Sequence, residues 1–166
     1  MDNVVPMLVR GTYYGALGVW MGMMVMIVLG APVIFRTVCE RRQAGDVVAG
    51  WLGVYYKAAL VCAVLVAAAL AWRMLNWERG LWQGGWGFAK GVALARTVLL
   101  ALMILNLLYA GWSLDPEIHR IRASVPDLLA LPPSEPVRMA FDALHHRSVT
   151  LMGANLLAGV LVVFLS

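Results

Sequence analysis

The sequence predicts an all-α membrane protein: four transmembrane helices in an antiparallel bundle, with a short amphipathic helical segment before the fourth span. Three observations predict it. Of 166 residues, 62% are hydrophobic and only 13% are charged, where an ordinary soluble domain is about one quarter charged. A domain of this length has too small an interior to hide so much apolar surface, so the excess faces lipid. The apolar residues also gather into four runs, 12–35, 47–72, 92–114 and 148–165, whose only charged side chains are Lys57 and Arg96. About 20 helical residues cross a hydrocarbon core about 30 Å thick. Helix is required because backbone groups in lipid must be satisfied within their own segment. Residues 1–166 therefore read as one transmembrane domain.

The first run is too long for the apolar region of a signal peptide and lacks a small-x-small cleavage site, so it reads as a retained helix. Gly11, Gly15, Gly18 and Gly22 recur at steps of four, three and four, which leaves one helix face almost without side chains. Such a face lets two membrane helices approach closely, and the second run offers Ala49 and Gly53 as its counterpart. Gly15, Gly18, Gly22, Pro32 and Gly53 are the candidate packing residues. Pro32, lacking an N–H, is expected to kink the helix and free the carbonyl of Val28.

The second run carries Tyr55, Tyr56 and Lys57 in its first half. Lys57 either extends its stem to the headgroups or points inward, where loss of water disfavours its charge. Residues 76–86, rich in tryptophan and glycine, suit the headgroup level of the membrane. In the third run Arg96 is expected to extend outward, while Asn106 and Tyr109 are candidates for a polar seam. Asp115 and Pro116 read as the N-cap and first residue of a short surface helix carrying Ile118, Ile121, Arg122 and Val125. Pro126, Pro132 and Pro133 interrupt the chain. Ser134-Glu135-Pro136 then opens a helix that continues through Phe141 and His145 into the fourth span.

On that last helix Phe141, His145, Ser148, Met152 and Asn155 follow at steps of four, three, four and three. Polar groups inside a membrane are costly unless paired, so this side faces protein. Two readings stay open. His145, Ser148 and Asn155 either hydrogen-bond to neighbouring helices as interhelical glue, or they form a site whose other wall is Tyr55, Tyr56, Lys57 and Asn106.

The formal charge of +4 and pI of about 9.4 do not indicate a nucleic-acid partner, since the basic residues lie at the edges of apolar runs, where headgroups attract them. Arg36, Arg41, Arg42, Arg120, Arg122, Arg138 and Arg147 fall in the 1–2 and 3–4 connections. Arg10, Arg73, Arg79 and Lys90 fall on the other side, with Arg96 just within the membrane. The asymmetry places the two richer connections in the cytoplasm. Cys39 and Cys62 lie in a polar loop and mid-run respectively, and are not expected to pair.

Enzyme signatures are absent: there is no nucleophile elbow, phosphate loop, HExxH or CxxC. No carboxylate lies within a span, which argues against an acid-lined, proton-coupled carrier. His119, His145 and His146 with ten methionines raise haem or copper. His145 and His146, however, are adjacent and would point about 100° apart on a helix, and methionine serves as apolar filler. No cofactor is expected, with haem as the alternative.

Trp20 and Gly22, then Gly30-Ala31-Pro32-Val33-Ile34-Phe35-Arg36, Ala44-Gly45, Gly50, Tyr55-Tyr56, and Phe141-Asp142-Ala143-Leu144-His145-His146-Arg147-Ser148 with Asn155-Leu156 are similar to the transmembrane-protein-205-like bacterial membrane proteins, a domain of unknown function. The resemblance covers nearly the whole chain. It implies a four-helix integral protein without an assigned reaction, and marks Pro32, Phe35, Arg36, Tyr55, Tyr56, His145, Ser148 and Asn155 as important without giving them roles. A weaker likeness in architecture links it to four-helix haem and copper membrane proteins, whose several buried histidines this sequence lacks. The candidate polar bundle site is thus Arg36, Tyr55, Tyr56, Lys57, Asn106, His145, Ser148 and Asn155.

The expectation is an accessory or structural subunit in the bacterial inner membrane, both termini periplasmic. Its partners are the lipid bilayer and either other membrane subunits or a second copy of itself. The alternatives are a small-solute transporter or channel lined by Tyr56, Ser148 and Asn155, and a haem- or copper-binding redox protein using His145.

Overall fold

The computed structural model describes residues 4–76, 87–125, 128 and 130–166, and these are almost entirely helical. Helix α1 spans Val4–Thr37, α2 Arg41–Asn76 and α3 Phe88–Tyr109. A π-helical turn, Ala110–Leu114, joins α3 without a break to α4, Asp115–Ser124, and α5 spans Pro136–Phe164. The tryptophan-rich residues 77–86 and Pro126 lie outside the described residues.

All four apolar runs, Leu165 apart, fall within helices long and apolar enough to cross a membrane, counting α3 to α4 as one rod. The four contain 34, 36, 37 and 29 residues, or about 44–56 Å at 1.5 Å per residue, so each exceeds the hydrocarbon core. In the third and fourth spans the surplus lies at the arginine-rich end, as α4 and residues 136–147.

The helices close into a ring. α1 and α2 make the most extensive contact, α3 packs chiefly on α5, and the ring closes through α2 against α3 and α1 against α5. Large side chains of α1 (Tyr13, Leu17, Trp20, Met24 and Ile27) share one buried cluster with a small-residue face of α2 formed by Ala59, Cys62, Ala63, Val66 and Ala69. Leu100, Met103 and Leu107 of α3 and Val162 of α5 complete the cluster. Small residues do permit the close α1–α2 approach, but they are the alanines of α2.

That finding corrects the expected packing stripe. Gly15, Gly18 and Gly22 are exposed, and a Cβ at any of them, or at Gly53, would meet nothing within 4 Å. At 100° per residue the glycines of α1 lie opposite the face of Tyr13, Leu17, Trp20 and Met24, and the bulky face, which gains more dispersion contact, is the one turned inward. The close glycine approaches are elsewhere. A Cβ at Gly30 would lie 2.9 Å from the Trp51 ring, one at Gly111 3.2 Å from Tyr56, and one at Gly159 3.0 Å from the sulfur of Met21. Pro32 sits exposed within α1, which stays helical to Thr37.

Two further expectations change. Arg96 is only 3% exposed, because it shares the inward stripe of Leu100, Met103 and Leu107 at steps of four, three and four. Asp115-Pro116 begins no separate helix, for the backbone stays helical through Leu114 and Asp115. Pro116 has no N–H to donate, and its ring crowds the carbonyl four residues earlier. The ladder widens just before it, the Asp115 N–H reaching back to the Ala110 carbonyl. By contrast, α5 begins where expected, with Pro136 in its first turn.

Candidate functional site

The inward stripe of α5 consists of Asn155, Gly159 and Val162, all buried, continued toward its N-terminus by the half-buried Ser148, Leu144 and Phe141. α2 turns Tyr55 and Tyr56 toward the same level, and α3 contributes Asn106. These five polar side chains, with Leu107, Ala110, Leu151 and Met152, line one recess. Its cavity volume is about 10 Å³, the lower limit for a single water molecule.

Hydrogen bonds hold the recess together across helices. The Asn106 Nδ2 donates to Asn155 Oδ1 at 3.1 Å, and the Asn155 Nδ2 donates to the Met103 carbonyl at 3.2 Å. The Trp20 indole N–H points at the Tyr55 hydroxyl across 3.4 Å, a long bond between two buried side chains. Asn155, 4% exposed, has both ends of its carboxamide engaged, as a buried amide requires. The Tyr56 ring lies against Gly111 in the π-helical turn, where any side chain would displace it. Such turns occur frequently at functional sites.

Of the eight candidate site residues the structure brings together Tyr55, Tyr56, Asn106, Ser148 and Asn155. Arg36, Lys57 and His145 are exposed and stand apart from the recess. On α5 the step between Phe141 and Ser148 is taken by Leu144, about 100° from His145. An apolar side chain fills that inward position without the partner an imidazole would require. The His145 ring instead lies parallel to Phe141, 5.9 Å between centroids and 3° between planes. On α2, Tyr55 and Tyr56 occupy the inward positions, which turns the next residue, Lys57, outward.

The recess offers three hydroxyls and two carboxamides. That set can orient a small polar molecule, but it holds no nucleophile paired with a base. Among the described residues no three His, Cys, Asp or Glu side chains cluster as a metal site.

A second polar region lies at the arginine-rich end. Arg122 of α4 donates to the Gly45 carbonyl at 3.0 Å and to Asp46 at 2.6 Å, clamping α4 to the start of α2. A Cβ on Gly45 would lie 3.0 Å from the guanidinium. Within α5, Arg138 pairs with Asp142 at 3.0 Å. At the other end Arg73 lies over the Tyr13 ring at 5.4 Å, and the Tyr13 hydroxyl is 3.1 Å from that of Ser166. Sequence reasoning missed the clamp and the π-helical turn. A glycine within an apolar run just ahead of a proline, Gly111 and Pro116, was the available signal for the turn.

Comparison with protein families matches residues 15–125 to a model described as "Domain of unknown function (DUF4149)". The match bears out a family without assigned function, under a description that does not carry the transmembrane-protein-205 designation. It takes in α1 from Gly15 onward, α2, α3 and α4, and ends before α5, so Ser148 and Asn155 lie outside it. Neither the comparison with curated proteins nor that with solved structures gave a match.

Proposed function

Starting from a multi-pass membrane chain that belongs to the family of domain of unknown function DUF4149, we propose that it serves as an accessory or structural subunit of a membrane complex, docking through the outer face of α1. One observation carries this reading. Gly11, Gly15, Gly18 and Gly22 form an exposed stripe above which a Cβ would meet nothing within 4 Å. In lipid, helices associate by close packing and interhelical hydrogen bonds rather than by escape from water. A side-chain-free stripe gives a neighbouring transmembrane helix the nearest approach. Val19 and Met26, 57% and 63% exposed, stand beside it and would pack on the flanks of that helix. The neighbour is another subunit or a second copy of this chain.

Transport through the residues that sequence reading favoured, Tyr56, Ser148 and Asn155, is less well supported. Their recess has room for about one water, and the Asn106–Asn155 amides are bonded to each other. On the proposed reading the arginine-rich connections face the cytoplasm of a bacterial inner membrane and both termini face the periplasm.

Blue-native electrophoresis of gently solubilised membranes tests the proposal. The protein should migrate in an assembly well above its own 18.1 kDa, and Gly15→Leu with Gly18→Leu should release it as the lone chain. Because both positions open outward, the variant should still fold. Migration of the unaltered protein only as a lone chain, or an assembly indifferent to the two leucines, would overturn the reading.

A further inference from the structure

The seam between α3 and α5 at the arginine-rich end carries an exposed arginine and two exposed aromatic side chains. We propose that Arg147, Tyr109 and Trp112 form a seat for the phosphate of an anionic phospholipid. Tyr109 ends α3, and Trp112 follows three residues later within the π-helical turn, both side chains exposed. Both close the apolar run 92–114, and Arg147 immediately precedes the apolar run 148–165. Antiparallel neighbours therefore bring all three to one depth, the level at which hydrocarbon gives way to headgroups.

The geometry at that level is specific. The Arg147 Nη1 lies 3.4 Å from the Tyr109 hydroxyl and donates to it, which turns the guanidinium toward α3. Arg147 is exposed and makes no ion pair among the described residues, whereas Arg120, Arg122 and Arg138 are held by Glu117, Asp46 and Asp142. A guanidinium carries five N–H donors, so four remain for an anion, and its planar fork matches phosphate oxygens. Trp112, 76% exposed, offers an indole N–H and a flat ring of the kind that settles among headgroups.

The lipid phosphate layer is what lies against these groups. A cation with no internal counter-ion favours lipids whose headgroup adds no positive charge. The seat adjoins the polar recess, since Arg147 precedes Ser148 and Tyr109 precedes Ala110, but it opens outward.

Native mass spectrometry of the intact protein, released from micelles containing either phosphatidylglycerol or phosphatidylcholine, tests the proposal. One phosphatidylglycerol should remain bound where phosphatidylcholine does not. Arg147→Gln should lower its retention about fivefold, the effect of one interfacial cation, and Tyr109→Phe should lower it less, by loosening the guanidinium. Arg36→Gln, which removes an exposed arginine on α1, should leave retention unchanged. Equal retention in Arg147→Gln and the unaltered protein would overturn the proposal. So would displacement of the lipid by an equal concentration of inorganic phosphate, which would mark a site for free anions.

Discussion

Replacing Asn155 with leucine, a side chain of the same branching and heavy-atom count, removes the centre of the polar recess. Asn155 is 4% exposed, accepts from Asn106 at 3.1 Å and donates to the Met103 carbonyl at 3.2 Å. Interhelical hydrogen bonds measured in a membrane protein average about 0.6 kcal/mol and reach about 1.7, so two of them are worth roughly 1.2 kcal/mol, with an upper bound near 3.4. The substitution also strands the Asn106 amide in apolar surroundings, which raises the loss above the simple average. Asn155→Leu should therefore lower unfolding free energy by about 1–3 kcal/mol, read by steric trapping in bicelles. Adding Asn106→Leu removes the stranded partner, so the double variant should be more stable than the sum of the two single losses. The coupling should be about 0.6–1.7 kcal/mol. A single-variant loss below about 0.3 kcal/mol, or strict additivity, would refute the claim that this amide pair joins α3 to α5.

Gly159→Val should destabilise by about 1–3 kcal/mol through overpacking against Met21 and Met103, with Gly159→Ala milder because methionine side chains yield. Gly18→Ala, at a mid-helix position with open space above it, should leave the lone chain at least as stable, with a gain of up to about 1 kcal/mol from helix propensity. Arg122→Gln should cost only about 0.5 kcal/mol, since Asp46 is 64% exposed. Hydrogen exchange should nevertheless accelerate at the start of α2 and in α4, and unchanged protection there would show that the clamp holds nothing. Purified protein and His145→Ala should both lack a Soret band, and a band lost in the variant would contradict the placement of His145 as a surface ring stacked on Phe141.

The four spans were legible because run length and the near absence of charge are decided by the bilayer itself, whatever the helices touch. That Asn106 and Asn155 share one polar site was legible for a related reason, since unpaired amides in hydrocarbon are costly; their direct bond was not. The inward face of α1 was not. In lipid both sides of a helix are apolar, so the glycine side and the Tyr13–Trp20 side give no contrast that separates core from surroundings. His145 illustrates a narrower ambiguity: a stripe of steps four and three passes as well through Leu144 as through His145, and the cost of burying an unpartnered imidazole decides between them. Arg96 shows the reverse error, because a lone cation near a span's end satisfies the rule for outward extension yet lies in the register of Leu100 and Met103. The π-helical turn escaped notice because Asp115-Pro116 carries the same signature whether it starts a helix or distorts one.

The pairing of α1's bulky face with the alanines of α2 has a consequence for biogenesis. Most of the buried side chains belong to these two neighbouring segments, joined by the three residues 38–40. Since α1 and α2 pack mostly on each other, the leading hairpin can form most of its packing before the later rods are inserted, as short-range topology favours. The third and fourth rods then arrive at an already assembled platform, leaving the amide pair between them to register the final step of closure.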